Sequence, residues 1–190
     1  MIASLLGVSV SISASDKERK IELLDYIKSH TGFKVSADPF NPLSFRVFNQ
    51  TTAPTKDLCT ISSKKVSFLN NLYSSDEELA ELASLNPVDI SSVTSFELTI
   101  VIYTNNRESV VKKIETYQVE TVTEATCNRW IENPKRKTHM SGNRCVSEYA
   151  DNNITFFVRQ GYREQVLDSL RQLITLCGGV TPSPSINRTK

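Results

Sequence analysis

The chain predicts an α+β fold: a mainly antiparallel sheet with two helices packed on one face, plus an N-terminal helical and irregular subregion. Three observations carry that reading. Phe96, Leu98, Ile100 and Ile102 alternate with more polar neighbours in the period-two pattern of a strand with one buried face. Val166, Leu167, Leu170, Leu173, Ile174 and Cys177 fall on one side of a helix that Gly178-Gly179 ends. Between residues 92 and 177 the order reads strand, helix, strand, loop, strand, strand, helix, which suits an antiparallel sheet covered on one face. At 190 residues, 39% hydrophobic and 23% charged, the chain has the composition of an ordinary globular protein with a substantial core.

Residues 1–15, MIASLLGVSVSISAS, contain no charged side chain and end in small residues. They read either as the apolar core and cleavage region of a secretory signal or as a first strand, since Leu6, Val8, Val10 and Ile12 alternate with Gly7, Ser9, Ser11 and Ser13. Residues 16–91 form an N-terminal subregion. Ser15 and Glu18 make a capping box ahead of Ile21, Leu24 and Ile27, predicting a helix over 16–30 that stops at Thr31-Gly32. Short strands are expected at Phe45–Phe48 and Leu58–Ile61 within a stretch rich in Pro, Ser, Thr and Asn. A second capping box, Ser75 with Glu78, predicts a helix through Leu79, Leu82 and Leu85 that Asn86-Pro87 ends.

Residues 92–179 form the predicted α+β core. After the strand of Phe96 to Tyr103, Asn105-Asn106 caps a predicted helix carrying Val110, Val111, Ile114 and Tyr117, with a Glu108 to Lys112 pair on its far side. Strands are expected at Val119–Ala125, Val146–Tyr149 and Ile154–Val158, and the last helix follows. Residues 180–190, with Pro182 and Pro184 and no apolar period, read as a disordered tail.

Four cysteines, with no CxxC and no paired His spacing, argue against a zinc site or a thioredoxin-like redox centre. In an oxidising compartment they pair. The short, hairpin-like interval favours Cys127 with Cys145, leaving Cys59 with Cys177; four buried thiols in a reducing compartment are the alternative. Three Asn-X-Thr triplets, at Asn49, Asn153 and Asn187, carry little weight alone.

The interval from Cys127 to Cys145 holds the only Trp and the densest basic run. Arg129, Trp130, Lys135, Arg136, Lys137, His139 and Arg144 make it the candidate binding surface, with Trp130 available for stacking and the cations for an anionic partner. A solvated loop with Trp130 covering the core is the plainer reading.

No catalytic or cofactor motif such as GxSxG, HExxH, a P-loop or GxGxxG occurs, and no cofactor or metal is expected. His30 sits at a predicted helix end, where a cation suits the helix dipole. Twenty-two basic against 21 acidic residues give a net charge of +1, which argues against nucleic acid as partner. No other segment approaches the length of a membrane span.

Leu23-Leu24-Asp25-Tyr26-Ile27-Lys28-Ser29-His30-Thr31-Gly32-Phe33-Lys34-Val35, followed by Asp38-Pro39, resembles the helix, Thr-Gly, strand passage of the short periplasmic domains that open secretins and TonB-dependent receptors. The resemblance covers only this short passage, and what it implies is an envelope context. The expectation is therefore a secreted or periplasmic non-enzymatic binding or accessory protein whose partner is another envelope or extracellular macromolecule. A secreted hydrolase or effector with dispersed catalytic residues is the alternative.

Overall fold

Alternating side chains recur between residues 45 and 157, and where the structure describes them they fold as antiparallel ladders. In the computed structural model, which describes residues 8–36, 45–69, 72–91, 99–118, 127, 136–159 and 161–179, ten strands form two sheets. The strands are β1 (Phe33–Ser36), β2 (Phe45–Thr52), β3 (Thr60–Leu69), β4 (Leu72–Glu81), β5 (Leu85–Ser91), β6 (Thr99–Thr104), β7 (Val111–Gln118), β8 (Lys137–Ser141), β9 (Arg144–Asp151) and β10 (Asn153–Phe157). The larger sheet has the order β1-β2-β3-β4-β7-β9-β8 and the smaller β10-β6-β5. Every strand pairing is antiparallel. Among the described residues two long helices, α1 (Val8–Thr31) and α2 (Arg163–Leu176), complete the α+β architecture.

The class follows the sequence, but three elements differ. The helix expected from Ser75 is β4, followed by a single 3-10 turn at Leu82–Ser84. As the central strand of the large sheet, β4 is paired along β3 on one side and β7 on the other. Its carboxylates find cross-strand lysines: Lys64 opposite Glu77, Lys65 opposite Asp76, Lys113 opposite Glu78. Matched charges and two ladders outweigh a capping box worth about 1 kcal/mol. The second difference is the helix expected at 105–117. A 3-10 turn at Asn105–Arg107, with Asn106 and Arg107 at φ 54 and 58, breaks it before β7 begins. Lys112 pairs across the sheet with Glu148 at 3.1 Å instead of along a helix with Glu108. Third, α1 starts at Val8, so residues 8–15 are helical and the first-strand reading of this stretch is replaced. Ser and Val are only weakly unfavourable in helices, and adding residues to a formed helix is easier than nucleating one.

Residues 119–125 and 180–190, and the start of the strand expected from Phe96, lie outside the described residues. The helix, Thr31-Gly32, β1 passage is present as the sequence suggested.

The core lies between the helices and the small sheet. Leu23, Leu24 and Ile27 of α1 join Val166, Leu167, Leu170, Leu173 and Ile174 of α2 in one cluster with Ile100, Ile102, Ile154 and Phe156. At about 1.5–3 kcal/mol for each fully buried aliphatic side chain, the five residues of α2 alone anchor that helix firmly. The helices also touch each other, α1 lies against β2, and α2 lies against β5. Strand β10 crosses against β2, β3 and β4, joining the two sheets. At its C-terminus α2 ends in a Schellman turn: Gly179 N–H donates to the Ile174 carbonyl at 2.9 Å and Gly178 N–H to that of Thr175 at 3.1 Å. Gly178 has φ 87, and a Cβ on Gly179 would meet Ile174 at 2.3 Å, so both positions require glycine.

Candidate binding site

Because strand side chains alternate, the register of the large sheet decides which charges share a face. Asp76 opposes Glu115, Glu78 opposes Lys113, and Lys113 in turn opposes Tyr149. Asp76, Glu78, Lys113, Glu115, Tyr149 and Asp151 therefore stand on one face, which β10 partly covers.

Two polar networks occupy it. In the first, Lys113 Nζ lies 3.0 Å from Glu78 and 2.9 Å from Asp151, and it donates to Asn153 Oδ1 at 3.2 Å. All three ammonium donors are thus used. Glu78 in turn accepts the Thr155 backbone N–H. Both charges are largely removed from water, with side-chain exposures of 11% for Lys113 and 14% for Glu78. Burial pushes the Glu78 carboxyl above its ordinary value against the pull of Lys113. Burial alone would lower Lys113, yet the Glu78 and Asp151 carboxylates hold it above the usual lysine value. Asp151 is held below the ordinary value by Lys113 and the Asn152 N–H, which together outweigh its burial. The Asn153 carboxamide is part of this network rather than a free glycan acceptor.

In the second network, Arg136 Nη1 lies 2.7 Å from Glu115 Oε2, and its guanidinium stands over the Tyr149 ring at 4.4 Å. The Tyr149 hydroxyl donates to Glu115 Oε1 at 2.7 Å. Burial and then this bond to Glu115 raise the Tyr149 hydroxyl. Tyr117, next along the same face, is pushed up to about 12 by burial and by the Glu115 and Asp76 charges. Between the networks and β10 lies a cavity of about 150 Å³ walled by Lys65, Asp76, Glu78, Glu115, Tyr149 and Phe157.

The seven residues singled out in the sequence are divided by this geometry. Arg136 is a half-buried member of the second network. Lys137 and His139 stand exposed on β8, and Arg144 stands exposed at the start of β9. The pairings of Lys137 with Glu148 and His139 with Val146 set them on the face opposite Arg136. Arg144 Nε donates to Gln118 at 3.1 Å and reaches over Tyr73 at 5.8 Å. Arg129, Trp130 and Lys135 lie outside the described residues.

Both expected disulfides are present. Cys127–Cys145 joins the interval to β9, and Cys59–Cys177 ties the turn before β3 to the end of α2. The first is shut away, with 2% of each cysteine exposed. Two disulfides are consistent with an oxidising extracellular or periplasmic setting.

Sequence reading missed Glu78, Lys113, Glu115, Tyr149 and Asp151. A signal existed in the lysine pair of β3 facing the acidic run of β4, which becomes visible once both are read as strands.

Among the described residues no His, Cys, Asp and Glu cluster is placed to hold a metal, and no helix is long and apolar enough to cross a membrane. His30 is packed between the rings of Tyr26 and Tyr162, each 4.2 Å away, with Nδ1 2.8 Å from the Tyr26 carbonyl. The Ser29 hydroxyl also lies 2.8 Å from Nδ1, within the last turn of α1. The chain matches no family model, and comparison with characterised proteins and with solved structures finds no match either.

Proposed function

We propose that this is a secreted or periplasmic, non-enzymatic binding protein that captures an acidic surface of another extracellular or envelope macromolecule on the outer face of the β8–β9 hairpin. One observation carries this reading. Lys112, Lys137, His139 and Arg144 share one face of β7, β8 and β9, and Glu148 is the only carboxylate among the described residues of those strands on that face. Such a surplus attracts an acidic partner and speeds its encounter. Among the described residues β8 stands at the end of the large sheet and pairs only with β9. The paired cysteines and the signal-like composition of residues 1–15 support the compartment.

The test is capture from native extracellular fluid or periplasmic extract by immobilised wild-type protein and by the Lys137→Glu, Arg144→Glu double variant. The variant is expected to lose about tenfold or more of the captured partner while keeping its circular dichroism spectrum, and capture should weaken with added salt. Equal capture by the two proteins would sink the assignment.

A further inference from the structure

We propose that Cys59–Cys177 is a redox-labile clasp that small thiols open with Cys59 as the leaving sulfur, while Cys127–Cys145 stays shut. The two bonds differ in surroundings. Cys59 and Cys177 are both partly exposed, and Lys20 Nζ of α1 lies 3.0 Å from Cys59 Sγ. The other charged group facing Cys59 is Asp57, whose carboxylate is engaged by the Thr55 hydroxyl and by the Cys59 N–H at 3.1 Å. Cys177 Sγ has the Leu58 carbonyl oxygen 3.9 Å away. The Cys127–Cys145 pair is buried, with 2% of each residue exposed, and among the described residues the His139 carbonyl oxygen lies 3.7 Å from Cys127 Sγ. Its burial keeps an attacking thiolate from reaching either sulfur.

Thiol–disulfide exchange runs faster when the departing thiolate is stabilised and the target sulfur can be reached. The thiolate of a low-molecular-weight monothiol attacks Cys177 Sγ, forming a mixed disulfide there. The Cys59–Cys177 bond breaks, and its electron pair leaves on Cys59 as a thiolate held beside the Lys20 ammonium. A second monothiolate then attacks the monothiol's own sulfur in the mixed disulfide and expels Cys177, which takes a proton from water. The balance is two monothiols oxidised to one disulfide and one protein disulfide reduced to two thiols. Opening releases the end of α2 from the turn at residues 55–58, where Leu58 is held at φ 61. Relaxation of that left-handed residue opposes reclosure. Leu58 and Leu176, packed on the core at this point, become the first apolar side chains uncovered.

The experiment treats the full oxidised chain with 2-mercaptoethanol at pH 7.5, quenches with N-ethylmaleimide, and maps the cysteines by mass spectrometry. Cys59–Cys177 is expected to open about tenfold faster than Cys127–Cys145, with the transient adduct on Cys177. Lys20→Gln is expected to slow that opening about threefold, the effect of about one unit in the leaving thiol's pKa. Equal rates for the two disulfides, an adduct on Cys59, or an unchanged rate in Lys20→Gln would each overturn the proposal. A Cys177→Ser variant gives an independent measure: iodoacetamide should alkylate Cys59 with a pH midpoint below the ordinary value of about 8.5, and a midpoint at or above it would count against the clasp.

Discussion

The two disulfide-bearing ends of the molecule are held together by opposite means. At the helical end, Cys59–Cys177 closes over an apolar cluster built from α1, α2 and the small sheet, and its sulfurs sit at the surface beside a lysine. At the β8–β9 end, Cys127–Cys145 is itself buried, yet the nearby sheet face is knitted by ion pairs and a tyrosine hydroxyl. One end places its cross-link where solvent reaches it and trusts the core to packing. The other hides its cross-link and must satisfy several buried charges, a task that geometry has to meet bond by bond.

The contrast can be broken at several points. The largest effect belongs to the helical end: replacing Cys59 and Cys177 by Ala opens a closure spanning 118 positions. By the chain-entropy account it should lower unfolding free energy by about 5 kcal/mol, against about 3 kcal/mol for the Cys127, Cys145 double replacement with its separation of 18. Urea unfolding of both variants measures the difference, and a larger loss at the β8–β9 end would reverse the ranking.

Next comes Lys113→Ala, which strands Glu78 without its cation; a loss of about 3 kcal/mol is expected in the same assay. Glu78→Gln combined with Lys113→Met should recover part of it, because the more deeply buried carboxylate is then neutral and only the partly exposed Asp151 is left without its cation.

The pH dependence is smaller. Asp151, lowered below 3.8 in the folded protein, contributes stability above that value and loses it as pH falls through the folded one. Lys113, raised above 10.5, contributes below that value and loses it at higher pH. Glu78 works in the opposite sense: its raised value makes the folded state take up a proton first, which softens the acid limb. Urea midpoints between pH 2 and 6 should therefore fall less steeply in Asp151→Asn than in wild type, and parallel curves would refute the assignment. The smallest effect is expected at Glu148→Gln, which removes the exposed pair with Lys112 and should change stability by under about 0.5 kcal/mol. That same substitution should strengthen capture of an acidic partner.

Much of the helical end was legible in the sequence. The i, i+4, i+7 spacing from Val166 to Ile174 and the Gly178-Gly179 stop specified α2, and cysteine count and spacing pointed to both disulfides. The charged end was not, because β4 and β7 carry residues that suit either element. Ser75 and Glu78 satisfy a helix cap as well as they satisfy a strand, and Val111, Ile114 and Tyr117 follow the helical period although in β7 Ile114 stands on the face opposite the other two. Only the cross-strand register, Lys65 on Asp76 within the β3–β4 hairpin and Lys113 on Glu78 from a distant strand, resolves the ambiguity. The candidate site suffered for the same reason. Arg136 reads as one cation in a basic run until Glu115 and Tyr149 are brought beside it.

The packing of α1 against α2 also sets an order of events in time. Leu23, Leu24 and Ile27 are synthesised about 140 positions ahead of their partners from Val166 to Ile174. The apolar cluster cannot close before that later segment has emerged from the ribosome, and until then the apolar face of α1 lacks its α2 partners.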